Sequence, residues 1–446
     1  MSTLHESFNY LFQTKLDSWT PLRASLHQFF NDHEIALLDR SNRTFLSSMR
    51  TIVILSFENR FALLGGLGAV MRTFPAFLQK QGERVFLLTP LHRGCSAVKK
   101  AIDKGELVQR FTGHEVRICN YSCTVNCFEE ANAVIPTYHV EITGRFLAGE
   151  NPYGYVDQED LLFDSLAFCA VAPSVVAHLG HTEHVLFHAH DWETAPIAIF
   201  ARCAVISGLF QQVRTLLTLN NSFDAPFPDH LKMRFFNRLF SGCTVLQSML
   251  PFFHGPLTTV STPYAHELRH DPLQRGFFAD HLQRQFAMNP PIGIENGMFG
   301  EPSVPFSVEE MAAARKGNYH PLLTKKRSWR TSIIDLIHRE KSPHSFGTFT
   351  PDRLDDPSVP IFLMSGRLDL MQKGFDTVFH AFKRVKPGSA MLFFTPTPCN
   401  DKEDLSFFTE IADECGGNII IWPFFISSRK YRMLLQGASY LLMPSF

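Results

Sequence analysis

The sequence predicts an α/β protein built from two consecutive doubly wound units. Three observations carry this. Short apolar, β-branched runs recur between stretches with helical apolar spacing. Most of these runs close on glycine, proline or polar turn residues. The pattern then restarts after a proline-marked interval at 301–358. A length of 446 residues leaves room for two or three domains of roughly 150 residues and an ample core.

Composition narrows the function classes. The 42 basic and 43 acidic residues nearly cancel, which argues against nucleic acid or an anionic membrane surface as partner. Phenylalanine is abundant at 43, which speaks for a large core. No run of about 18 uncharged apolar residues stands out, and MSTLHESFNYLFQTKLDSW lacks the basic and apolar regions of a signal peptide. Nine cysteines, an odd number at low density, fit a reducing cytoplasm. Cys119, Cys123 and Cys127 invite a metal reading, but no matching second pair follows, and their alternating surroundings suit buried thiols on strands.

Residues 1–50 read as an accessory helical region, with Leu22, Leu26, Phe29 and Phe30 on one stripe and Pro21 in a first turn. Next, 51–57 is a buried strand, and Gly65-Gly66-Leu67-Gly68 opens a helix with apolar positions Leu67, Val70, Met71, Phe74 and Leu78. Strand, glycine turn and helix suit a phosphate, or a plain strand-to-helix turn. Strand 85–89 completes a right-handed crossover unit. Segments 106–112, 114–128 and 132–143 alternate as antiparallel strands, and 161–178 is a helix. Strand 184–190 ends in His188-Ala189-His190-Asp191-Trp192, placed where parallel sheets hold ligands. The same residues also suit a metal or a structural turn, although no third ligand is evident. Helix 195–207, strand 215–219 with Asn220-Asn221-Ser222, helix 231–240, strand 257–261 and strand 291–297 follow. Together 51–300 form one doubly wound domain.

Residues 301–358 read as a connector with one strong helix, 329–339, and Lys325-Lys326-Arg327 as a solvated face. The second unit, 359–446, has strand 360–365, turn Gly366-Arg367-Leu368-Asp369, helix 374–385, strand 390–394, helix 404–415, strand 418–422, helix 427–437 and strand 440–443. The chain stops at Pro444-Ser445-Phe446, straight after a strand, so the second domain is expected to be incomplete.

The ordered motifs GGLGAV (65–70), HAHDW (188–192), LLTLNN (216–221), TVSTPYAHEL (259–268), GIENG (293–297), GRLDLMQKGFD (366–376) and QGASYLLMPSF (436–446) resemble the glycogen/starch synthase family of glycosyltransferases. The resemblance implies the GT-B architecture, two Rossmann-like domains facing a cleft. It implies retaining transfer of glucose from a nucleotide-diphosphate glucose, ADP-glucose first, to an α-1,4-glucan, without cofactor or metal. By the same resemblance His190 is the active-site histidine, and Arg367 and Lys373 contact the donor diphosphate, the first as a fork and the second as a point charge. Gly65 and Gly66 approach the donor, and Asn220 and Asn221 stand at the family's His-Asn pair. Leu63-Leu64 occupy the place of the family's lysine before the glycines. Thr395-Pro396-Thr397-Pro398 replace a Gly-x-Gly loop, which proline disables as a phosphate cradle. The family's Glu-Pro-x-Gly segment would lie past Phe446, so this chain alone is expected to be inactive or nearly so. A non-catalytic glucan-binding relative, and a GT-B transferase using another sugar nucleotide, are the alternatives.

Overall fold

The computed structural model describes residues 26–41, 50–296, 305–340, 342–349, 356–368, 373–396, 405–424 and 426–444. Packing divides the chain into two units, Met1–Glu301 and Pro302–Phe446, each with its own sheet.

In the first unit a turn at 26–30 leads into α1 (Asp32–Ser41). Asn31 and Glu34 cap this helix reciprocally: Asn31 Oδ1 accepts from Glu34 N–H at 2.9 Å, and Glu34 Oε2 accepts from Asn31 N–H at 2.8 Å. Leu26, Phe29 and Phe30 are buried, and the Phe29 ring meets Phe236, Phe240 and Phe252 edge-on. Leu22 and Pro21 of the predicted stripe lie outside the described residues.

The sheet follows: β1 (Thr51–Leu55), β2 (Arg84–Pro90), β3 (Leu107–Ile118), β4 (Tyr121–Glu130), β5 (Thr137–Ile142), β6 (His184–His190), β7 (Gln212–Leu219), β8 (Leu257–Thr259) and β9 (Ile292–Gly293). Their spatial order is β3-β4-β5-β2-β1-β6-β7-β8-β9. Pairings from β5 through to β9 are parallel, and β4 pairs antiparallel with β3 and β5. The helices are α2 (Gly66–Lys80), α3 (Ser96–Asp103), α4 (Gln158–His178), α5 (Ile197–Ile206), α6 (Asp229–Phe236) and α7 (Thr262–His270).

Strand alternation decides which helix covers which face. Ile52, Ile54, Leu186 and Leu216 pack against Leu67, Met71 and Phe74 of α2. Val53, Leu55, Phe187, Ala189 and Leu217 pack on the other side, with α4 and α5. Helix α4 is long and apolar enough to cross a membrane, yet its apolar stretch is mostly buried in this core. The sequence reading places this helix at 161–178 but finds no uncharged apolar run of that length, because Asp164 interrupts it. Of the predicted strand 291–297 only Ile292–Gly293 pairs, and Gly297 lies outside the described residues. Cys123 and Cys127 lie on β4, and Cys119 sits in the turn before it at φ 50°.

In the second unit, helices α8 (Val308–Arg315) and α9 (His320–Arg339) come first. The four parallel strands are β10 (Ile361–Gly366), β11 (Met391–Pro396), β12 (Ile419–Ile421) and β13 (Tyr440–Leu442), in spatial order β12-β11-β10-β13. Helices α10 (Phe375–Phe382) and α11 (Phe407–Glu414) cover the face bearing Met364, Leu392 and Phe394. Helix α9, with α12 (Ser428–Gly437), covers the face bearing Ile361, Leu363 and Phe393.

The expectation of a connector at 301–358 needs correcting. Pro321 falls in the first turn of α9, where a missing N–H costs nothing, so it starts a helix instead of marking a linker. Ile333 and Ile334 of that helix are core residues. The basic patch is not a solvated face throughout: Lys326 Nζ donates to the carbonyls of Gln436 and Ala438 at 2.7 and 2.6 Å, and Lys325 pairs with Glu310 at 2.8 Å. Only Arg327 of the three is exposed. Residues 342–349 add bridges to β12, and Trp422 Nε1 donates to Ser345 Oγ at 2.9 Å.

Candidate functional site

From β1 the chain crosses to β2 on one side; it later returns to pair β6 on the other side of β1 and continues outward to β9. The order therefore reverses between β1 and β6, the switch point outside whose carboxyl ends open α/β sheets bind ligands. Register aligns Leu55 with Ala189 and His190 with Thr218, and Thr218 in turn pairs Thr258. Three segments meet there: 56–68 after β1, 190–194 after β6 and 220–224 after β7.

His188 and His190, two apart on a strand, share the face toward α2. Their rings lie 4.5 Å apart, with Phe74 edge-on to both. Both are buried. Burial lowers the His188 pKa to about 3, and burial together with His188 holds His190 well below the usual histidine range. The proton positions follow from the partners. Thr258 Oγ1 donates to the Leu217 carbonyl at 3.0 Å, so Thr218 Oγ1 donates to Thr258 Oγ1 at 2.7 Å, and His188 Nε2–H donates to Thr218 Oγ1 at 2.8 Å. Thr194 Oγ1 holds the His190 backbone, accepting from its N–H and donating to its carbonyl, both at 2.7 Å.

Asp191 has φ 61° and ψ 179°, a region that is essentially glycine-only, at a cost of order 1–3 kcal/mol. Its surroundings hold it there. Asp191 N–H donates to the Thr218 carbonyl at 3.0 Å, and its carboxylate accepts from Asn220 N–H at 2.6 Å and Asn220 Nδ2 at 3.2 Å. Burial raises Asp191 to about 7 against these hydrogen bonds, with Glu58 raising it further. Glu193 is buried beside it and is raised well above the carboxylate range by burial and then by Asp191. Asn221 Oδ1 accepts from Phe223 N–H at 2.8 Å, shaping the loop.

The glycine turn holds a group that the sequence reading missed. Glu58 Oε2 accepts from the N–H groups of Leu64, Gly65 and Gly68 at 3.2, 3.2 and 3.1 Å, and Tyr153 Oη donates to Glu58 Oε1 at 3.3 Å. A Cβ at Gly68 would overlap Leu63 and stand 3.0 Å from Glu58 Oε2, so this position needs glycine for the carboxylate's close approach. The donors that a phosphate would use at Gly65 and Gly68 are thus engaged by the chain's own carboxylate. Gly66 begins α2 with open space around it.

A small pocket of about 40 Å³, room for a water or two, opens beside His190 and is lined also by Val70, Phe74, Thr218, Thr259 and Glu295. His190 Nε2 faces no hydrogen-bond partner among the described residues. Also among the described residues, no group of three or more His, Cys, Asp or Glu side chains is arranged to hold a metal.

In the second unit Arg367 directly follows β10, and Lys373 precedes Gly374, the left-handed residue (φ 60°) that caps α10. Both side chains are half-buried, and residues 369–372 between them lie outside the described residues.

Residues 51–283, more than half of the chain, match the starch synthase catalytic domain family. The chain belongs to that family of glycosyltransferases. Among relatives, the glycogen synthase of Pseudothermotoga lettingae is 25% identical over 74% of this chain and 65% of its own length. That of Alkaliphilus metalliredigens is 24% identical over 89% of this chain and 79% of its own. The chain spans about two thirds of the length of the first of these, and 66% of the glycogen synthase of Desulfitobacterium hafniense. Among solved structures, the catalytic domain of starch synthase IV from Arabidopsis thaliana, bound to ADP and acarbose, superposes with a TM-score of 0.63 at 15% identity. It covers 89% of this chain and 78% of that one, and the likeness shows the GT-B fold. Thr194, Glu58, Tyr153 and Glu193 carried no motif signal; a lone charge just past a buried strand, as at Glu58, was the only cue.

Proposed function

We propose that this chain is the core of a cytoplasmic, retaining glucosyltransferase that passes glucose from ADP-glucose to an α-1,4-glucan. The observation that carries the reading is the neutral, buried His190 at the switch point, lining a small pocket beside a strained, clamped Asp191. Family membership and the ADP and acarbose bound by the plant relative support the donor and acceptor classes.

Breaking a sugar–diphosphate bond leaves an oxocarbenium-like sugar and a departing diphosphate. Fixed donors and cations aimed at the diphosphate are the device for stabilising its departure. Arg367 would bind the diphosphate as a fork and Lys373 as a point charge. His190, uncharged, would donate a hydrogen bond to a sugar hydroxyl instead of moving a proton. The glycine turn at Gly65 and Gly66 would contribute shape, since Glu58 already engages the N–H groups of Gly65 and Gly68.

Arg367→Ala and Lys373→Ala are each expected to lower kcat by about a hundredfold or more with nucleotide-sugar donors. The decisive comparison is initial rates with ADP-glucose and UDP-glucose on glycogen. Transfer of neither, with turnover of a different sugar nucleotide, contradicts the reading. A second reading, a glucan-binding relative without catalysis, is favoured by Leu63-Leu64 in place of a lysine. It predicts glycogen binding with no turnover of any donor.

A further inference from the structure

Asn220 stands between two groups that constrain it differently. Asp191 is bonded as an acceptor: its Oδ1 takes the Asn220 backbone N–H at 2.6 Å and its Oδ2 takes Asn220 Nδ2 at 3.2 Å. Above the Asp191 pKa of about 7 that pairing assigns the amide, because turning it would set its oxygen against an ionised carboxylate oxygen. The same Nδ2 then lies 3.4 Å from His190 Nδ1. An amide nitrogen carries only hydrogens, so it can face His190 Nδ1 only when that nitrogen is bare. The single proton of the neutral ring is then on Nε2, a buried atom without a hydrogen-bond partner among the described residues, on a ring that lines the pocket.

We propose that Asn220 is a positioning residue: anchored by Asp191, it fixes His190 as the Nε2–H tautomer, so that the donor this ring can offer a substrate is Nε2–H. The backbone clamp by Thr194 holds the ring's origin, and the His188 ring, 4.5 Å away and tilted by 32°, packs against its face. The histidine that the family places at this position would not define the tautomer in the same way, since an imidazole nitrogen can donate or accept. The titratable groups facing His190 are His188 beside it on β6, Asp191 after it and Glu295 across the pocket. The substrate role rests on the transferase reading given above; the tautomer does not.

The test is therefore spectroscopic first. Nitrogen NMR of the imidazoles in the full chain at pH 8, with His190 assigned by loss of its signals in His190→Ala, is expected to show Nε2 protonated and Nδ1 bare. Asn220→Asp, which sets an acceptor against Nδ1, is expected to move the proton there, and Asn220→Ala to leave a mixture. A wild-type ring protonated at Nδ1, or a tautomer unmoved by Asn220→Asp, overturns the proposal, whether or not the protein turns over a nucleotide sugar. The kinetic arm reads coupling. Asn220→Ala should lower kcat by between about ten- and a hundredfold with donor KM little changed. In a His190→Ala background the same change should cost less than about twofold, because both act through one ring. Independent, multiplying losses would overturn the positioning role.

Discussion

His92 illustrates how single buried side chains tie this protein to pH. Its Nε2–H donates to the Phe57 carbonyl at 2.7 Å, and burial lowers its pKa from 6.5 to about 4 against that bond. The unfolded chain therefore binds a proton between those values that the folded chain refuses. Stability from neutral His92 is fully present above pH 6.5 and is lost as pH falls toward 4. His188, His190 and His254 act with the same sign, and Asp191 and Glu193, raised by burial, act against it. The difference between wild type and His92→Gln, which keeps a donor but cannot titrate, isolates one term. Wild type should lose about 2 kcal/mol more than the variant between pH 7 and pH 5 in urea titrations. The position of HAHDW at the carboxyl end of a strand was legible in the sequence. The protonation of its histidines was not, because it is set by Thr218 and Thr258 on neighbouring strands and by Asn220 just after β7.

At the scale of elements, the start of α2 is where sequence and structure differ most usefully. Strand, glycines and apolar helix spacing were all readable, since each depends on neighbours within a few residues. The occupant of the turn was not, because Glu58 reaches N–H groups six to ten residues on through a loop that no periodicity describes. Removing this carboxylate leaves three N–H groups at the start of α2 without their acceptor. Glu58→Ala is expected to destabilise the first unit by about 3 kcal/mol in urea unfolding, with Glu58→Gln intermediate. An unchanged midpoint would show that water replaces the carboxylate at no cost. Helix α9 makes the converse point: prolines and lysines suggested a linker, but Pro321 sits in a first turn and Lys326 caps the last carbonyls of α12. Composition read without position misplaced that segment.

Across the whole molecule, the sequence conveyed the succession of strands and helices in both units because parallel strands buried on two faces must be apolar throughout. Their spatial orders, β3-β4-β5-β2-β1-β6-β7-β8-β9 and β12-β11-β10-β13, were not legible, because pairing joins residues far apart in the chain. Family membership then rests on residues 51–283, and the site on loops that the first sheet's switch point gathers. Glucosyl transfer is read most directly by incubating the protein with glucose-labelled ADP-glucose and maltooligosaccharide and following label into lengthened chains, wild type beside His190→Ala. Wild type should extend the chains with α-1,4 links, and His190→Ala should be slower by about a hundredfold or more. No label incorporated by wild type, or equal rates in the two proteins, would contradict the proposed function.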